Sequence, residues 1–172
     1  MHFERVYKKI IEAIDMPPPA IVLNIPNQAN ANSSSFYNAQ KVLDTVVACV
    51  ILEAGGEGKA GMEAINEVLQ NRAKFKYKAV TFDTMAKIAT EPKQFSCFNA
   101  GVDNAIAKAK KHPKWKEAEN IVKAPVTSHV NGSRFYHTIN LKRPGWAQTF
   151  LNKGAQRVTL GHHVFYTNVK GY

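Results

Sequence analysis

At 172 residues and 19.1 kDa the chain is about one domain long, and its 45% hydrophobic and 21% charged residues exclude a wholly disordered or fibrous protein. No apolar run approaches the roughly 18 residues needed to cross a bilayer. Lysine and arginine outnumber the acids 23 to 13, a formal charge of +10. Such a field favours polyanions: nucleic acid, an anionic membrane surface or the acidic polymers of a bacterial wall. The plainer reading is charge that only keeps the protein soluble. The lysines are dispersed, with short clusters at 74–78 and 108–111, which suits a general attraction better than a shaped groove.

Along the chain, residues 2–15 place Phe3, Val6, Tyr7, Ile10, Ile11 and Ile14 at helical spacing. Met16-Pro17-Pro18-Pro19 stops that helix, because proline cannot continue the ladder. Residues 16–36 are rich in Pro, Asn, Ala and Ser and read as an extended arm, so residues 1–36 form an N-terminal helix and arm ahead of a body at 37–172. The start of the chain does not read as a secretory signal: Glu12 and Asp15 interrupt its apolar stretch. The body opens with an apolar helix over 38–54, ended by Gly55-Gly56. Further helices are expected over 60–73, 82–90 (with Thr81 or Asp83 at its start), 100–111 and 113–123, the last with Pro113 in its first turn. After Pro125 the period changes to two, and 133–137 and 163–166 read as short strands. The fold class is α+β, mostly helical, with a small antiparallel sheet late in the chain.

Glu53 resists a purely structural reading. It follows Val46 and Val50 on one helical face, so a carboxylate closes an apolar stripe. That position is costly unless the group is paired or sits at the floor of a cleft. The carbonyl end of the helix also disfavours negative charge there. Those are the conditions under which a carboxylic acid serves as the general acid of glycoside cleavage. The bland alternative is a helix-terminal Glu paired with Lys59 or Arg72. Glu57 follows four residues on; it is either a second carboxylate across a sugar or a residue that orders the turn through backbone N–H groups. Aromatic residues gather around Phe95, Phe98, Phe135, Tyr136, Trp146, Phe165 and Tyr166, and with the amides Gln94 and Asn99 they suit a saccharide groove as well as a core. Cys49 and Cys97 lack metal or redox spacing and read as free thiols, and the six histidines lack metal spacing.

The stretch Leu52-Glu53-Ala54-Gly55-Gly56-Glu57-Gly58, running on through a helix to Asn71-Arg72, resembles the opening motif of the SleB/CwlJ-type cell wall hydrolases. Three later segments agree in order: Gln94-Phe95-Ser96, then Phe135-Tyr136-His137 with Pro144-Gly145-Trp146-Ala147, then Gly161-His162-His163-Val164-Phe165-Tyr166. The resemblance covers about residues 45–168. It implies a lysozyme-like domain that cleaves peptidoglycan between N-acetylmuramic acid and N-acetylglucosamine as a lytic transglycosylase. Glu53 would be the catalytic acid and base. Glu57, Gln94, Phe95, Ser96, Tyr136, His137 and Trp146 would bind substrate. No cofactor or metal is implied. The segment Asn131-Gly132-Ser133-Arg134 before the Tyr-His strand departs from the family pattern, as does an extra residue before Pro144, so contacts from 127–142 are the least transferable.

A muramidase that uses water shares the first half of that mechanism. A non-catalytic basic module for walls or nucleic acid is the alternative of another class; nucleic acid is disfavoured because the basic residues do not interleave with aromatics in a known module. The expected partner is bacterial peptidoglycan, with no nucleic acid and no membrane insertion, and the protein is expected to be a monomer. With no signal, a compact basic lytic domain is similar to phage lysins, which reach the wall through a holin or from a virion.

Overall fold

In the computed structural model, residues 33–140 and 142–169 are described. The expected helix over 2–15 and the arm up to residue 32 lie outside them. Helix α1 (Ser33–Ala54) is the axis of the molecule. It begins inside the stretch read as arm, five residues ahead of the expected start. Every residue from Leu43 to Ile51 is buried, Asp44 and Thr45 included. A helix buried on all sides must be surrounded. Helices α2 (Gly58–Tyr77), α3 (Phe82–Thr90), α4 (Val102–Lys110) and α5 (Trp115–Lys123) all pack on it. Asp44, inside this core, is compensated by Lys110 Nζ at 2.6 Å.

Local signals set the helix ends. Thr81 caps α3: its hydroxyl accepts from Thr84 N at 3.1 Å, while Thr84 Oγ1 accepts from Thr81 N at 3.0 Å. Pro92 follows its last turn and holds Glu91 extended. The chain leaves α1 through one 3₁₀ turn, Gly55–Glu57, in which Gly55 is buried. A Cβ at Gly55 would lie 3.1 Å from the His112 ring. Lys114 Nζ donates to Gly55 O at 3.1 Å and brings a cation to the negative end of α1.

The late sheet is real and has three strands where two were expected. Strands β1 (Phe135–Thr138), β2 (Gln156–Leu160) and β3 (His163–Thr167) are antiparallel in the order β1-β3-β2. Helix α6 (Gly145–Asn152), also unexpected, lies between β1 and β2 in the chain. The register puts Tyr136, Val158 and Phe165 on one face, and Phe135, His137, Val164 and Tyr166 on the other. Phe165 and Tyr136 join the helical core. Tyr166 and Val164 form a second cluster with Ala147 and Phe150 of α6.

Three side chains of α2 hold the approach to β1. Glu67, 3% exposed, accepts from His129 N (2.7 Å), Val130 N (3.0 Å) and Gly132 N (3.2 Å). Asn71 Nδ2 donates to Ser133 O at 3.1 Å, and Arg72 Nε to Arg134 O at 2.7 Å. Buried Ser133 ties the same segment to β3: its hydroxyl donates to Tyr166 O at 2.6 Å and accepts from Tyr166 N at 3.0 Å. The position of β1 is therefore fixed by polar groups of a helix that precedes it by about sixty residues.

Candidate active site

Glu53 stands in the last turn of α1, partly buried, where the helical body meets the sheet. The Tyr136 hydroxyl of β1 donates to Glu53 Oε2 at 2.8 Å. Burial pushes the Tyr136 phenol well above its ordinary pKa, and the charge on Glu53 adds to the shift. The phenol stays protonated and remains a donor. Neither Lys59 nor Arg72 forms an ion pair with Glu53: Lys59 lies 3.7 Å from Glu63.

Arg72 forms the wall beside this pair. Its Nη1 donates to Gln94 Oε1 at 3.1 Å, and its guanidinium lies 5.1 Å from the centre of the Phe95 ring and 5.9 Å from that of Tyr136. Burial lowers the Arg72 pKa, while Tyr136, Cys49 and Glu53 oppose that shift. It stays cationic, since arginine starts so high. The Phe95 and Tyr136 rings are 6.4 Å apart. Glu53, Tyr136, Arg72, Gln94 and the buried Phe95 are thus linked by successive contacts, with Ser96 exposed on the next turn. Cys49 lies one helical turn before Glu53; it and Cys97 are free thiols. Burial, then a hydrogen bond with Cys97, pushes the Cys49 thiol up, which keeps it unreactive.

Glu57 is engaged elsewhere. Its side chain is 9% exposed, and Oε2 accepts from His163 Nδ1 at 3.1 Å, with His162 Nδ1 3.6 Å from Oε1. Two glycines make the space: a Cβ at Gly61 would lie 2.6 Å from Glu57 Cβ, and one at Gly161 would lie 2.4 Å from Glu57 Oε2. The His163 ring stands edge-on to Tyr136 at 5.0 Å. Glu57 therefore supports the Tyr136 ring through His163.

His137 and Trp146 lie on the opposite face of the sheet from Tyr136. His137 Nδ1 donates to Thr138 O at 2.9 Å, and its Nε2 accepts from the Tyr166 hydroxyl at 2.9 Å. Trp146, 38% exposed, packs 6.0 Å from His137 and 5.5 Å from Tyr166. Of the expected site residues, the structure gathers Gln94, Phe95 and Tyr136 around Glu53, sets Glu57 behind them, and separates His137 and Trp146. Sequence reading missed His163, Glu67 and the Arg72 bridge. The signal available for Glu67 was a run of polar residues, Asn66, Glu67 and Gln70, inside a helix that is otherwise core. Among the described residues, no group of three or more His, Cys, Asp or Glu side chains could hold a metal, and no helix is long and apolar enough to cross a membrane.

A mostly helical domain whose small late sheet packs beside a helix-terminal carboxylate has a lysozyme-like fold. The chain belongs to the cell wall hydrolase family, whose sequence profile matches residues 56–166, and peptidoglycan is the polymer that such a domain degrades. The match begins three residues after Glu53. The fold is similar to the crystal structure of the catalytic domain of the Bacillus cereus SleB protein: TM-score 0.50 at 17% identity, covering 84% of this chain and 97% of that domain. No curated protein matches the sequence.

Proposed function

We propose that the protein is a lytic transglycosylase that cleaves the bond from N-acetylmuramic acid to N-acetylglucosamine, with Glu53 as both acid and base. The observation that carries this reading is the division of labour between the two carboxylates. Glu53 is held by one phenol at Oε2, which leaves its other oxygen to handle a proton. Glu57 is buried against two histidines and is not disposed as a second, nucleophilic carboxylate. Protonated Glu53 gives its proton to the glycosidic oxygen as the bond to the muramic C1 breaks. The resulting carboxylate then takes the proton of the muramic 6-hydroxyl as O6 attacks C1. The product is a 1,6-anhydro ring, and no water is consumed. The Tyr136 hydroxyl stabilises the carboxylate between the two steps.

Mass spectrometry of muropeptides released from purified peptidoglycan tests this directly. Products lighter by one water than the reducing-end muropeptides are expected; reducing ends alone would make the enzyme a muramidase using the same acid. A zymogram without clearing would leave a binding module. On this reading the enzyme works as a monomer on the bacterial wall. The net charge of +10 serves attraction to the anionic wall. Lysis of whole cells is then expected to fall several-fold between about 20 and 300 mM salt as the screening length shrinks, and a flat response removes that role.

A further inference from the structure

The excess charge of the chain is unevenly placed. From Asn120 to Tyr172 the sequence holds seven lysines and arginines and no acid, so this stretch carries seven of the ten net charges. The acids that bond to the sheet come from the helical body and meet it on one face. Glu53 reaches Tyr136, and Glu57 reaches His163. Glu63 and Glu67 hold the segment ahead of β1. Among the described residues, no acid is hydrogen-bonded or ion-paired to the opposite face, the one that carries His137, Arg157 and Tyr166.

On that opposite face lies a hollow of about 380 Å³. The strand register gathers its lining: Val164 of β3 lies opposite His137 of β1 and Thr159 of β2, and Tyr166 lies opposite Arg157. Ile139 and Arg143, from the connection between β1 and α6, complete it. The exposed Trp146 stands beside it, against His137 and Tyr166. His137 Nε2 and the Tyr166 hydroxyl satisfy each other, and His137 Nδ1 is engaged with Thr138 O. The polar groups left to meet a ligand are therefore two guanidinium groups and the Thr159 hydroxyl. Among the described residues Arg157 has no hydrogen-bond or ion-pair partner, and Arg143 has only the neutral amide of Gln148, at 2.9 Å. No carboxylate stands in the lining. A hollow that offers charged donors over an apolar base, with no acid to balance them, is complementary to an oxyanion, and planar arginine forks pair bidentately with carboxylate and phosphate alike. Its size suits such a group together with the carbons next to it.

We propose that this hollow binds an oxyanion of the bacterial wall, a carboxylate or a phosphate, and so anchors the domain to its insoluble substrate from the sheet face opposite Tyr136. The proposal rests on the wall being the substrate, not on the mechanism of cleavage. The test is sedimentation with purified cell walls, every protein carrying Glu53→Gln so that the walls stay whole. Adding Arg143→Gln and Arg157→Gln together is expected to weaken binding by about tenfold or more, the worth of one charge-assisted hydrogen bond. Lys108→Gln with Lys111→Gln removes the same charge from exposed positions elsewhere and is expected to weaken it much less. Both arginines are exposed, and matching melting curves establish folding. Three wall preparations separate the sources: untreated walls, walls freed of phosphate polymers by hydrofluoric acid, and acid-treated walls whose carboxylates are then converted to neutral amides. An arginine effect that disappears at the acid step assigns the site to phosphate, and one that disappears only at amidation assigns it to carboxylate. An arginine effect that survives amidation would overturn the proposal, as would an equal loss for the two pairs of substitutions or no loss at all. The proposed cleavage reaction stands or falls separately, on the muropeptides that the wild-type enzyme releases.

Discussion

Glu53→Gln is expected to lower turnover on peptidoglycan by roughly 10²–10⁴-fold, the range attributed to general acid catalysis. Glutamine keeps the size of the side chain and an oxygen for the Tyr136 hydroxyl, so the 2.8 Å contact that orders the site survives. What it lacks is a labile proton. The folded state does not suffer, because a charge is removed from a partly buried position at a helix C-terminus. The measurement is release of anhydro-muropeptides alongside thermal melting. More than about a tenth of wild-type activity in a well-folded Glu53→Gln protein would remove the assignment. Glu57→Gln is expected to have a smaller effect, passed through His163 to the Tyr136 ring. A collapse there with folding intact would instead point to a two-carboxylate, hydrolytic mechanism.

Glu67→Ala is expected to cost roughly 1–3 kcal/mol of stability, chiefly by stranding the buried Val130 N–H, since water reaches the half-buried His129 and exposed Gly132 donors. The three N–H groups of His129, Val130 and Gly132 have no alternative partner in the described hydrogen bonds, and the carboxylate itself is 3% exposed. Against a typical total of about 5–15 kcal/mol, this one change removes a sizeable share. Glu67→Gln keeps one acceptor oxygen but turns an amide N–H₂ toward the remaining donors, and it is expected to fall between the two. Urea unfolding of both variants checks this. A loss below about 1 kcal/mol for the alanine variant would mean that water replaces the carboxylate without penalty. Activity is expected to fall further than the folded fraction, because the loosened segment leads into β1 and Tyr136.

The helical half was legible because its signals are local. Thr81 before an apolar face and Gly55-Gly56 behind Ile51 mark boundaries that the structure reproduces within a few residues. Strand β2 was missed because, as an edge strand, it is largely exposed, and Gln156, Arg157 and Thr159 dilute its alternation. Helix α6 was missed because eight residues starting at a glycine are too few for periodicity to stand out. The site was partly legible for a different reason. Strand alternation says that Tyr136 and His137 point apart, but not which of them faces Glu53; that depends on how the sheet docks. The direction of Glu57 was hidden by the glycine pair, since a 3₁₀ turn and a loop leave the helix in different directions. The clamp made by Glu67, Asn71 and Arg72 acts on backbone about sixty residues downstream, which no short-range pattern records.

The acid and the phenol that holds it are 83 residues apart in the chain, one in the central helix and one in the sheet. The contacts of α1 with α2 and α3 join neighbouring segments and can assemble early, whereas its contacts with α4 and α5, like the Glu53–Tyr136 contact, close long loops. The sheet meets the helical body through the aromatic rings of the shared core and through the Glu53–Tyr136, Glu57–His163 and α2 polar contacts. On the proposed reading, a chain emerging from the ribosome therefore lacks its complete acid until β1 has docked against the end of α1.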